Sequence, residues 1–287
     1  MNYSLKNKFL TVEIASLGAE LQSIKTADGT EYLYDGSGPW ANRAIILFPI
    51  VGRLKNNEYT YRGKTYTLDI HGFARDMEFT VKKESDTKIT FTLCDNEETL
   101  KNYPFHFQLD IIYELNGDTL SVKNDVKNTG KDEMYFSIGA HEGYRCPLMP
   151  GEDFTDYQIV FEKKENVGRR MVDKQLFTGE VTPVMTDTDT LNLNYNLFTT
   201  DAIFLSDHKS RKNTLIGKKS KKGVEVFFPD YPMLGIWTRP NGGYICIEPW
   251  YGIGDSIYHN GELTKKEGII RMEAGKTFTC THTIRPF

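Results

Sequence analysis

Apolar and polar residues alternate from Phe107 to Leu115, with Ile112 the one exception: Phe107, Leu109, Ile111, Tyr113 and Leu115 fall on one face, Gln108, Asp110 and Glu114 on the other. A period of two belongs to a strand with one buried side, so FQLDIIYEL reads as a half-buried strand. Asn116-Gly117-Asp118 then supplies turn chemistry, and LSVKNDVKN alternates again with Leu120, Val122 and Val126 on one side. The two segments predict a hairpin. The same pattern recurs in the first thirty residues, in YTYRGKTYTL around Gly63, in GGYICIEPW and in GKTFTCTHTIRPF. Helical spacing is confined to short stretches such as DNEETLKNY, residues 95–103, where Asp95 or Asn96 is placed to cap a turn or two. No strand–helix–strand alternation, linker or internal repeat breaks the series. The pattern predicts an all-β chain, a large antiparallel sandwich or barrel with a few short helices, as a single domain over residues 1–287.

Composition adds little to the fold and more to what is excluded. Tyr and Phe number 16 and 17 against three Trp, a bias that suits pleated, half-buried surfaces. With 35 basic and 39 acidic residues the net charge is −4 and the cations are scattered, which argues against nucleic acid as a partner. The GKKSKKG run at 217–223 lies between apolar segments and reads as a solvated loop. Cys94, Cys146, Cys246 and Cys280 show no C-x-x-C spacing, so neither a zinc site nor a disulfide framework is indicated, and reduced thiols are expected. No 18-residue apolar span or signal-like amino terminus is present, which leads to the expectation of a soluble, cytoplasmic protein with no membrane partner.

Six histidines offer candidate chemistry. His106, His208, His259 and His282 sit in polar or alternating contexts and are expected to be structural or superficial. His71 in LDIHGFARD and His141 in SIGAHEGYRCP differ, because Gly72, Gly139 and Gly143 free the backbone around them for a close approach. Either role, hydrogen-bonded structural residue or cleft residue, is open for both from the residues alone. Glu248 in GYICIEPWYGIGD follows an apolar run and is flanked by Pro249, Trp250 and Tyr251, so it is expected to be at least partly buried. Desolvation raises the pKa of such a carboxylate towards that of a general base working at neutral pH, while a stabilising pair with an arginine is the competing reading. Its aromatic neighbours, Trp250 among them, suit the apolar face of a sugar.

VGRLKNNEY, HGFARD, YPFHF, SIGAHEGY, TDAIFL and IEPWYGIGD occur in the order found in the aldose 1-epimerase (galactose mutarotase-like) family, and the chain resembles that family over nearly its whole length. The likeness is nearest to the shorter bacterial branch and to glucose-6-phosphate 1-epimerase-like proteins. The resemblance implies a large antiparallel β-sandwich with a site on its concave face, an aldohexose as substrate, and no metal or cofactor. It also implies roles: Glu248 as general base, His141 as general acid, His71 as a second active-site histidine, Arg53 as a sugar-binding arginine and Asp201 as a hydroxyl ligand, with Asp207 the competitor for that place. A homodimer is left open. Two departures stand out. The family usually has His-Pro where this chain has His141-Glu142, which sets a charge beside the proposed acid, and its N-R-I is here Gly52-Arg53-Leu54. Arg75 in HGFAR, with Arg53, makes a two-arginine clamp for a hexose 6-phosphate the close alternative. A non-catalytic carbohydrate-binding protein is the reading from another class. A glycoside hydrolase would need two opposed carboxylates, of which only Glu248 has the setting.

Overall fold

The computed structural model describes residues 1–287, and its strands are numbered in chain order. A nine-stranded sheet runs β14 (Leu176–Asn192), β13 (Tyr157–Asp173), β16 (Lys212–Gly217), β17 (Gly223–Phe227), β21 (Thr277–Pro286), β10 (Thr119–Asn128), β9 (Phe107–Asn116), β8 (Lys88–Cys94) and β7 (Thr80–Lys83). A five-stranded sheet runs β15 (Ile203–Leu205), β18 (Met233–Trp237), β19 (Tyr244–Tyr251), β12 (Ile138–Arg145) and β4 (Ala44–Leu47). Pairing within both is antiparallel throughout. Smaller sheets complete the fold: β1 (Asn2–Lys6) with β2 (Leu10–Ala15) and β3 (Leu21–Thr26), the hairpin β5 (Glu58–Tyr61) and β6 (Lys64–Thr67), and the pair β11 (Met134–Phe136) and β20 (Ile270–Met272).

The alternation read from the sequence is the alternation of burial. Phe107, Leu109, Ile111, Tyr113 and Leu115 are buried along β9, and Leu120, Val122 and Val126 along β10. Gly117 takes φ +61° in the turn that aligns Asn116 with Thr119. The short helix spans Glu97–Asn102, and its cap is Asn96, whose side chain accepts from the Thr99 amide while Thr99 bonds back to the Asn96 amide. That reciprocal arrangement satisfies two end amides that would otherwise lack partners. GKKSKKG forms the turn between β16 and β17, where Lys219 pairs with Asp156 at 2.6 Å. All four cysteines are free, with Cys94 exposed and the other three buried. No helix is long and apolar enough to cross a membrane.

Two faces of the five-stranded sheet do different work. Ala44 and Ile46 of β4 and Ile245 and Ile247 of β19 join a core cluster of 62 buried residues shared with the nine-stranded sheet. Their neighbours Ile45, Leu47, Tyr244, Cys246 and Trp250 point the other way, into a separate cluster of eight. Strand alternation thus provides one face for the core and one for a cleft. The cleft is roofed by an element the pattern did not announce. β13 and β14 form a hairpin of two 17-residue strands, with register shifts along it, joined by Lys174-Gln175 at φ +48° and +67°. Its base belongs to the nine-stranded sheet, and its tip docks on the loop after β19: the Phe177 amide donates to Asp255 O, and the Ile257 amide donates to Phe177 O, both at 2.9 Å.

Candidate active site

β12 and β19 pair in a register that aligns Gly139 with Trp250 and Gly143 with Cys246, so His141 falls opposite Glu248. His141 Nε2 and Glu248 Oε2 lie 3.3 Å apart, with the glutamate side chain 1 % exposed. The glycines make room: a Cβ on Gly139 would meet the Trp250 ring at 2.7 Å, and one on Gly143 the Trp40 ring at 2.9 Å. Glu248 has no arginine partner, which removes the stabilising-pair reading of this carboxylate. Burial raises its pKa well above the ordinary carboxylate range, and the charges of Glu142 and Asp201 add to this. Burial also holds His141 down to about 3, with Arg75 a lesser contributor in the same direction. Both shifts favour the uncharged forms, an imidazole beside a carboxylic acid.

His71 reaches the same place from a tight turn. It has φ +68°, followed by Gly72 at +72°, where a Cβ would strike Phe48 O at 2.3 Å. Its Nδ1 accepts the Gly52 amide at 3.1 Å, which leaves the proton of the neutral ring on Nε2. Burial, then the charges of His141, Arg75 and Arg53, keep the ring well below its ordinary pKa and neutral. Its ring centroid is 5.6 Å from that of His141.

A cleft of about 240 Å³ opens over these groups and is lined by His71, His141, Glu248, Trp250, Arg53, Arg75 and Asp201, among others. That is smaller than the roughly 300–1,000 Å³ of drug-sized pockets and suits a single small molecule. Every candidate site residue read from the sequence is therefore brought to one place. Asp201 lines the cleft and its pKa is raised by burial, whereas Asp207 is exposed and does not reach it. Arg53 is held by Gln175 Oε1 at 2.6 Å and Asn57 Oδ1 at 2.7 Å. Arg75 lines the cleft while also touching the exposed Asp76 at 3.3 Å, so the clamp and the local pair coexist.

Several lining residues escaped the sequence reading. Trp40 stacks on His141, with centroids 4.8 Å apart and planes at 29°, and Trp237 meets the same ring edge-on at 5.6 Å. Gln175, Phe177, Phe204 and Arg239 complete the wall. One signal for the tryptophans was available: the chain has three, and all three line this cleft. Gln175 had none, because its turn lacks the usual glycine or asparagine. Glu142 corrects an expectation. Its carboxylate is not beside the His141 ring: it points to the opposite face of β12, where its Oε1 meets His282 Nε2 of β21 at 2.9 Å, both side chains buried. His282 is structural, as expected. His208 is buried as well, at 4 % exposure, while His106 is exposed on Asp95.

An antiparallel sandwich whose cleft holds a buried histidine and glutamate among three tryptophans defines the class of protein structurally. The chain belongs to the aldose 1-epimerase family, whose model matches residues 1–271. It is 37 % identical over 284 residues to protein LacX of Lactococcus lactis subsp. lactis, covering 95 % of each chain. Among solved structures it is similar to a galactose mutarotase related enzyme from Lactobacillus acidophilus, with TM-score 0.95, 36 % identity and coverage of 100 % of this chain and 97 % of that one. A galactose mutarotase-like protein from Lactobacillus casei follows, with TM-score 0.93, 29 % identity and full coverage of both chains.

Proposed function

We propose that the protein interconverts the α and β anomers of an aldohexose by opening and reclosing the pyranose ring. The observation that carries this reading is the 3.3 Å contact of His141 Nε2 with Glu248 Oε2 in a small aromatic cleft. Moving the carboxyl proton from Glu248 to His141 converts the uncharged pair into carboxylate and imidazolium. Glu248 then removes the proton from O1, the C1–O5 bond breaks with its electron pair going to O5, and His141 protonates O5, leaving an open-chain aldehyde. After rotation about C1–C2, O5 attacks the other face of C1, His141 recovers its proton from O5 and Glu248 returns one to O1. Protons and electrons balance, with nothing consumed. Each well-placed acid or base contributes about 10²–10⁴-fold.

The remaining lining residues receive binding roles in this reading. His71 offers its Nε2–H to a sugar oxygen, Asp201 and Arg53 bond hydroxyls, and Trp250 packs on the apolar ring face. The family's wider description as an epimerase is compatible with a phosphorylated substrate too, and the convergence of Arg53, Arg75 and Arg239 on the cleft favours that second reading. The test is anomer exchange measured by NMR, starting from α-glucose, α-galactose and their 6-phosphates. Acceleration with any of them supports the reading. Binding without acceleration would make the protein a carbohydrate-binding member of the fold instead.

A further inference from the structure

We propose that His141, Cys246 and Glu248 form a binding site for one soft divalent cation, Zn²⁺ or Cd²⁺, whose occupation shuts the catalytic pair. Cys246 and Glu248 are two residues apart on β19 and so share a face, and the β12–β19 register brings His141 opposite them. The imidazole nitrogen, the thiol sulfur and a carboxylate oxygen lie within 4.8 Å of one another, all in buried residues. Nitrogen, sulfur and oxygen donors on three side chains with a fourth position open are a zinc-type set. Bonds of about 2.0–2.3 Å to a tetrahedral ion hold donors roughly 3.5 Å apart. The His141–Glu248 contact is already 3.3 Å, and the sulfur lies no more than 4.8 Å from both donors.

A second observation points to a ligand at the same spot. Glu248 Oε2 is buried, accepts no hydrogen bond and faces His141 Nε2. Binding is plain ligand exchange: the thiol loses its proton to solvent, its sulfur lone pair goes to the ion, and nothing is oxidised. C-x-x-C spacing could not reveal such a site, because strand pairing assembles it from residues over a hundred positions apart. The ion would occupy the Nε2 and Oε2 lone pairs that carry protons in the proposed reaction. The binding half of the inference rests on geometry alone, and the inhibition half rests on that reaction.

The experiment uses Cys94→Ser protein, so that the exposed thiol does not contribute, and titrates it with Cd²⁺ while following the thiolate-to-cadmium charge-transfer absorption. One equivalent per chain is expected, with the band lost on adding Cys246→Ser and the affinity at least about tenfold weaker with Glu248→Gln. Zn²⁺ should inhibit anomer exchange on α-galactose, at least about tenfold less potently once Cys246→Ser is present. No band, or an equal band without Cys246, overturns the site. Should Cys246→Ser fail to fold, unchanged cadmium affinity in Glu248→Gln overturns it equally. A Cys246-dependent band in a protein that exchanges no anomers supports the cation site and counts against the proposed reaction, so the two failures are distinguishable.

Discussion

Glu142 and His282 meet at 2.9 Å inside the sandwich, tying β12 to β21 from the side of the strand that His141 does not face. The glutamate that stands where the family usually has proline is thus a cross-sheet contact, and it reaches the cleft only through the effect of its charge on Glu248. Breaking a buried pair by removing one partner costs about 3–5 kcal/mol. Glu142→Leu should lower unfolding free energy by about that amount in urea titrations, while the folded variant exchanges anomers within about tenfold of the parent. A loss of activity with unchanged stability would contradict this division of labour.

Glu248→Gln keeps the shape of the proposed base and removes its chemistry. Catalysed exchange should fall by about two to four powers of ten with sugar binding retained, and His141→Asn should do likewise. Because both protons move in one ring-opening step, the double variant should lose far less than the product of the two single losses. Exchange at the parent rate in Glu248→Gln would refute the mechanism.

In the proposed reaction the active form holds one titrating proton on the pair, which sets the expected pH profile. Adding a second proton requires charging His141, which burial opposes down to about 3; removing the last requires ionising Glu248 without a partner, which burial opposes well above the carboxylate range. The rate against pH should therefore show a broad plateau across neutrality. A single limb near the ordinary histidine value of about 6.5 would contradict it.

The same raised carboxylate affects folding. Glu248 binds its proton more tightly in the folded chain than in the unfolded one, so its contribution to stability is present in acid and is lost as pH rises through its folded pKa. Glu248→Gln, which never ionises, should melt at a higher temperature than the parent at pH 8, with the gap narrowing towards pH 4. Equal melting temperatures at both pH values would rule this out.

Arg75 separates the two substrate readings. Arg75→Ala should weaken binding of a hexose 6-phosphate much more than of the free sugar if the arginine cluster serves a phosphate. Equal losses, measured by calorimetry on both ligands, would return Arg75 to a local role beside Asp76.

The sequence showed most of what period two can show. Strands β9, β10 and β19 and the Asn96-capped helix were legible because alternation and capping are local. His71 and His141 were legible as candidates through their glycines, and as a set only through resemblance, since nothing along the chain says that His141 faces Glu248. The contact depends on the β12–β19 register, a relation between segments a hundred residues apart. Glu142 was misplaced for a related reason: adjacency in a strand means opposite faces, and its true partner, His282, is 140 residues away. The β13–β14 hairpin stayed hidden because bulges interrupt its alternation and Lys174-Gln175 gives no turn signal.

That hairpin has a consequence for how the protein can change over generations. It grows from one sheet and sets Gln175 and Phe177 at the rim of a cleft whose His141 and Glu248 stand on another. Substitutions at its tip can re-aim Arg53 and reshape the wall while leaving the strands that carry His141 and Glu248 as they are. On the reaction proposed above, choice of sugar and ring opening would be inherited on separate parts, so a lineage could trade one substrate for another without relearning the chemistry.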